Sequence, residues 1–175
     1  GNRVLDMFAS IPDALLTGDL EDLDEIEAKD NAVDDLHGYI VKYLGSISQR
    51  VLTEEQTKEL MKLMEAANAL ENIGDVIETN LVGLGRSRLA AGIRVSATTA
   101  SIIREFHATV NRALDQAIIA VIQKNEEQGQ LVLGMKAEIN DLSSEAAAHE
   151  VLRLVADEPN RIEAYRLEID VLSNM

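Results

Sequence analysis

The chain has 175 residues, of which 46% are hydrophobic and only 3% aromatic, so any core must be built mainly from aliphatic side chains. A formal net charge of −15 argues against nucleic acid as a partner, because phosphate binding needs a basic surface. The absence of cysteine excludes disulfides and thiolate metal sites, and no apolar run approaches the roughly 20 residues that cross a bilayer.

The acidic charge is concentrated in the first half of the chain. Residues 1–85 contain 6 Lys or Arg and 18 Asp or Glu, whereas residues 86–175 contain 10 and 13. Two interpretations follow. The commoner one is a solvated acidic surface, and the other is a cation-binding site in the first half.

Apolar residues recur at steps of three and four along the chain, which predicts six helices. The first is expected over about Val4 to Leu16, and the second over about Leu20 to Ser48. Within the second helix, Asp30 and His37 occupy positions where a bundle helix normally places apolar side chains. These two residues are therefore the first candidates for a function.

The third helix is predicted to begin at Thr53, since its hydroxyl and the Gln56 side chain can satisfy free amides reciprocally. Gly83 and Gly85 mark its predicted end. A polar connection follows, which is either a solvated linker or a holder for a phosphate or carboxylate partner. Its basic residues are Arg86, Arg88 and Arg94.

Three more helices are predicted in the second half. Ile103 and Phe106 lie on the stripe of the fourth, Ile139 lies on that of the fifth, and Pro159 opens the sixth. No stop signal precedes Met175, so we expect the chain to end within the sixth helix. Its incomplete apolar stripe favours a homodimer.

The two halves of the sequence match at a shift of 106 residues. This shift places residues 32–36 on residues 138–142 and Thr53 on Pro159, with helix starts and stripes in phase. The period suits a duplicated three-helix unit. We therefore predict an all-α fold of two tandem three-helix bundles, the second truncated at the C-terminus. The first unit spans residues 1–85, the connection 86–95 and the second unit 96–175.

Two pairs of carboxylates have i, i+4 spacing, Asp30 with Asp34 and Glu71 with Asp75. Residues four apart share a helix face, where like charges repel. On neighbouring antiparallel helices the four carboxylates could bind one hard cation, or iron or manganese. Acidic helices produce such pairs freely, so spacing alone favours a solvated face. Gly74, inside the second pair, indicates close helix packing or room beside a ligand.

Other catalytic patterns are missing from the sequence. His37 follows Asp34 by three residues and is either a further ligand or, more commonly, a core histidine with one hydrogen bond. The Glu-x-x-His motifs of di-iron bundles, nucleophile elbows and glycine-rich phosphate loops do not occur. We therefore do not predict an enzyme.

Residues 69–75, Ala-Leu-Glu-Asn-Ile-Gly-Asp, followed by Val-Ile-Glu-Thr-Asn, resemble the signature of the PhoU family. That family carries Leu-Glu-Arg-Ile-Gly-Asp followed by Asn-Ile, and here Asn72 replaces the arginine. Residues 28–36 resemble its other motif, Asp-x-x-x-Asp followed by Leu. The resemblance implies two three-helix bundles, each able to carry a metal cluster. The matching ligands in this chain are Asp30, Asp34, Glu71 and Asp75.

The second half departs from this pattern. Lys136 and Asn140 stand at the shifted positions of Asp30 and Asp34, so a second cluster is not expected. Residues 165–172 are similar to the PhoU-like tail of bacterial sodium/phosphate cotransporters, whose membrane part would lie upstream of this sequence.

The resemblance implies a cytoplasmic regulatory domain that controls phosphate uptake by contacting a membrane transporter domain or a transporter/sensor protein. In the cotransporter case it is the cytosolic tail of an inner-membrane protein. The implied cofactor is a metal ion, namely iron, manganese, zinc or calcium. One alternative is a free-standing PhoU regulator acting on a phosphate transporter and a histidine kinase. Another is a carboxylate-bridged metalloenzyme in a helical bundle.

Overall fold

The computed structural model describes residues 1–154 and 161–175, and within these ranges all regular structure is helical. The predicted all-α fold is thereby confirmed. Pro159, the predicted start of the last helix, lies outside the described residues. The elements are α1 (Asn2–Leu16), α2 (Leu20–Ser48), α3 (Glu54–Asp75), a π-helical segment (Val76–Val82), α4 (Gly83–Ala90), α5 (Ala97–Gln123), α6 (Glu126–Leu154) and α7 (Arg161–Asn174).

Local capping chemistry sets the starts of α2 and α3. The Asp19 carboxylate accepts hydrogen bonds from two amides of the first turn of α2, and the Asp22 carboxylate accepts from the Asp19 amide at 2.9 Å. Thr53 and Gln56 form the predicted reciprocal cap of α3. Because these hydrogen bonds join residues two or three apart, the sequence suffices to locate both starts.

The predicted end of the third helix at Gly83 and Gly85 is wrong. The π-helical segment and α4 follow α3 without a break, so one helical run extends from Glu54 to Ala90. Gly85 instead permits close packing, because a Cβ atom added there would lie 2.6 Å from Cδ2 of Leu23. The absence of a side chain lets α4 approach α2.

The predicted arginine-bearing connection is also partly helical, since Arg86 and Arg88 lie in α4. Arg86 forms ion pairs with two carboxylates of α2, Asp24 at 2.6 Å and Glu27. Arg94 lies beyond the helix and is exposed. Arg86 therefore connects α4 to α2 through ion pairs and does not belong to a solvated linker.

Arg88 is buried and fastens the same helix to the end of α1. Its guanidinium donates hydrogen bonds to the carbonyl oxygens of Leu16 at 3.2 Å and Gly18 at 2.6 Å. Burial lowers the pKa of this arginine from its ordinary value. The carbonyls at the end of a helix lack intrahelical partners, so Arg88 supplies a cap from a distant part of the chain.

Replacing this buried cap should destabilise the fold. We expect Arg88→Leu to lower the free energy of unfolding by about 2 kcal/mol, because two carbonyls lose a charged donor. Urea denaturation followed by circular dichroism measures the loss. Arg94→Leu is the matched control and should change stability by less than about 0.5 kcal/mol, since Arg94 is exposed. Equal effects of the two variants would contradict the capping role.

Helix α1 lies at the centre of the core. It packs against α2, α3, the π-helical segment, α4 and α5, and so contacts elements from both halves of the chain. Its inward side chains Met7, Ile11 and Leu15 are completely buried. The same cluster includes Leu167 and Val171 of α7. The two halves thus share one apolar core, and the predicted boundary between two units stays a prediction.

The starts of two helices agree with the internal repeat. Helices α2 and α6 begin 106 residues apart, at Leu20 and Glu126. Leu172, on the apolar stripe of α7, is buried within the chain, whereas Ile162 on the same stripe is 59% exposed. The dimer itself stays a prediction.

No helix among the described residues is both long enough and apolar enough to cross a membrane.

Candidate metal centre

Three of the four predicted carboxylates meet between α2 and the end of α3. One carboxylate oxygen from each of Asp30, Asp34 and Asp75 lies within 4.8 Å of the others. Asp30 and Asp34 share a face of α2 because they are four residues apart. The packing of α3 against α2 then brings Asp75 to the same place.

Asp30 is the buried member of this group. Only 4% of its surface is exposed, whereas Asp34 and Asp75 are exposed. Its Oδ1 atom has no hydrogen-bond partner among the described residues. An unpaired buried carboxylate oxygen costs free energy unless a proton or a cation compensates it.

Gly74 makes room for this carboxylate. A Cβ atom added at Gly74 would lie 2.6 Å from Oδ1 of Asp30 and 3.4 Å from Cγ1 of Val33. Of the two interpretations offered for this glycine, close packing and room beside a ligand, the structure shows the close approach. Any larger residue would press directly on the buried carboxylate.

The surroundings of Asp30 shift the pKa of its carboxyl group. Burial, followed by repulsion from Asp34, Glu78, Asp75 and Glu71, raises the pKa of Asp30 to about 6. Burial and neighbouring negative charge both disfavour the ionised carboxylate. Without a bound cation, the Asp30 carboxylate therefore takes up a proton more readily than an ordinary aspartate does.

Glu71, the fourth predicted ligand, is not in the close group of carboxylates. It is half-buried on α3 and contributes to the negative field at Asp30. Glu78, which lies in the π-helical segment, contributes to that field as well and was not predicted. Its position three residues after Asp75 could have indicated this role from the sequence, since residues three apart lie near the same helix face.

His37 is not part of the carboxylate group. Its Nε2 atom is 2.9 Å from Oδ1 of Asn68 on α3, and the ring is half-buried. Of the two interpretations of this histidine, the single hydrogen bond is the one observed. The ring belongs to the α2–α3 contact.

The donor set of the site fits a hard cation. Carboxylate oxygens are the ligands that calcium, magnesium and manganese prefer, and iron and zinc accept them. Two observations point to a ligand: the buried Oδ1 of Asp30 has no hydrogen-bond partner among the described residues, and one carboxylate oxygen of Asp30 lies close to oxygens of Asp34 and Asp75. A cation there would compensate three negative charges that otherwise repel one another.

Comparison with known proteins covers the part of the chain that holds this site. The PhoU domain family model matches residues 1–80, which include α1, α2, α3 and all four predicted carboxylates. Neither the curated proteins nor the solved structures gave a significant match. The match supports the relation of this chain, through its first 80 residues, to the PhoU family.

Proposed function

We propose that this chain is a regulatory PhoU-type domain that controls phosphate uptake through contacts with a transporter or sensor protein. The observation that carries the proposal is the PhoU match over residues 1–80, because the match contains the group of carboxylates. PhoU domains regulate phosphate transport and do not catalyse a reaction. The domain acts through a surface that another protein recognises.

The second part of the proposal is a metal ion held by Asp30, Asp34 and Asp75. Glu71 and Glu78 add to the negative field at Asp30 and so to the attraction for a cation. The ion would supply positive charge between α2 and α3 and so fix the relative position of the two helices. Iron, manganese, zinc and calcium are the candidates, since all accept carboxylate oxygens.

The domain is either the cytosolic tail of a sodium/phosphate cotransporter or a free-standing regulator. The similarity of residues 165–172 to cotransporter tails favours the first arrangement. Transmembrane helices encoded upstream in the same gene would identify a cotransporter tail. A separate gene without such helices would identify a free-standing regulator that acts on a phosphate transporter and a histidine kinase.

Removal of the domain tests the regulatory role. We expect that deleting residues 1–175 from the chromosomal gene abolishes the dependence of phosphate uptake on external phosphate, measured with radiolabelled phosphate. Asp75→Asn should weaken this dependence, whereas Asp35→Asn, an exposed change beside the motif, should leave it intact. A deletion strain whose uptake still responds normally to external phosphate would contradict the proposed function.

A further inference from the structure

Gly74 marks a place where α3 lies directly against the buried carboxylate of Asp30. A Cβ atom added at Gly74 would lie 2.6 Å from Oδ1 of Asp30. This oxygen has no hydrogen-bond partner among the described residues, although only 4% of the residue is exposed. A buried oxygen without a partner costs free energy and so points to a ligand. The side chains that reach past Gly74 are consequently the ones able to join Asp30 around a cation.

Two glutamates flank Gly74 on one face of the continuous helical run. Glu71 precedes Gly74 by three residues, and Glu78 follows it by four. A helical side chain points back toward the N-terminus of its helix and covers the turn before its own Cα atom. This direction takes the Glu78 side chain back over the turn that contains Gly74. It takes the Glu71 side chain toward the preceding turn, away from Gly74.

The surroundings of Glu71 agree with this direction. Glu71 lines a cavity of about 70 Å³ together with Leu36 and His37 of α2. The His37 ring is bonded at 2.9 Å to Asn68, which lies one turn before Glu71 on α3. On α2, His37 lies about two turns beyond Asp30. Glu71 is therefore directed toward the part of the α2–α3 contact that contains His37.

The surroundings of Glu78 place its charge closer to the aspartates. The π-helical segment that carries Glu78 packs against α2, and the Glu78 side chain is half-buried. Its Oε2 atom accepts a hydrogen bond of 3.2 Å from the Thr79 hydroxyl. Burial is the first cause of the raised pKa of Asp30, and repulsion from Glu78 raises this pKa more than repulsion from Glu71 does. Short π-helical segments are frequent at functional sites.

We propose that Glu78, in place of Glu71, is the fourth carboxylate ligand of a hard divalent cation in this site. The other three ligands are the close group of Asp30, Asp34 and Asp75. Rotation about the side-chain bonds of Glu78 exchanges the neighbouring threonine hydroxyl for the cation. Four carboxylates without a nitrogen or sulfur donor suit manganese or calcium. The inference rests on the metal ion of the proposed function and changes one member of the ligand set that the PhoU resemblance implies.

Titration of the metal-free 175-residue protein with Mn²⁺ tests the assignment, with free Mn²⁺ measured by electron paramagnetic resonance. Glu78→Gln should raise the Kd for Mn²⁺ roughly tenfold or more, since even the groups that only orient metal ligands contribute tenfold or more to affinity. Glu71→Gln is the matched control, because Glu71 is also half-buried and lies on the same face of the same helical run. It should raise the Kd by about threefold or less, since it removes only a more distant charge that salt screens.

Thermal denaturation of the metal-free variants separates loss of a ligand from damage to the fold. Without metal, Glu78→Gln should melt no lower than the wild type, because it removes a charge that repels Asp30. A lower melting temperature would show that the substitution acts through the fold and would overturn the assignment. An unchanged Kd for Glu78→Gln, or a larger effect of Glu71→Gln, would overturn it as well while leaving the three-aspartate site in place. A wild type that takes up no Mn²⁺ would contradict the proposed metal ion together with this inference, whereas a normal phosphate response in the deletion strain concerns the regulatory role alone.

Discussion

A bound metal ion should raise the melting temperature of this protein by roughly 10 °C at a thousandfold excess over its dissociation constant. Binding to the folded state alone stabilises it by about 4 kcal/mol at that excess, and each kcal/mol shifts the melting temperature of a chain of this size by roughly 2–4 °C. The physical basis is the group Asp30, Asp34 and Asp75, whose oxygens lie within 4.8 Å of one another. Differential scanning calorimetry with and without iron, manganese, zinc or calcium measures the shift.

Asp75→Asn should remove most of this stabilisation, because it takes one charged donor from the group. The matched control is Asp35→Asn, which removes one charge from α2 beside the motif at an exposed position. It should retain nearly the full metal-dependent shift. If elemental analysis finds no metal and none of the four ions changes the melting temperature, the carboxylates form a solvated acidic face.

Without metal, Asp30→Asn should stabilise the protein at neutral pH. The folded state holds this carboxylate with a pKa raised from 3.8 to about 6, so ionisation opposes folding. The folded protein therefore binds more protons than the unfolded chain between about pH 4 and pH 6. Stability must fall as the pH rises through this window and then level off above it. An asparagine at position 30 removes the charge that causes this fall.

Urea denaturation of the metal-free protein between pH 4 and pH 8 tests this prediction. The wild type should lose stability from about pH 4 to about pH 6, and Asp30→Asn should lose less over the same range. Asp35→Asn should follow the wild-type curve. With a saturating metal the order reverses, because the asparagine variant has lost a ligand. A variant that matches the wild type at every pH would show that Asp30 is not held in an unfavourable ionised form.

The starts of helices and the candidate ligands could be predicted from the sequence. The cap of α2 at Asp19 and the cap of α3 at Thr53 both join residues within one turn, so local order is sufficient. The spacing of Asp30 and Asp34 likewise places both on one helix face without any tertiary information. The strongest sequence signal of the candidate metal site was the position of Asp30 on an apolar stripe, where a charged residue is unexpected.

Other features of the fold and of the carboxylate group depend on contacts between residues that are distant in the sequence. The helical fold and the acidic character of α2 and α3 could be predicted, because both depend on residues a few positions apart in the chain. The folded structure showed that Gly85 packs against Leu23 instead of ending a helix. It alone also showed that the close group contains Asp75 but not Glu71. The distances between their carboxylates depend on how α3 is rotated against α2, and that rotation is set by packing across the whole core.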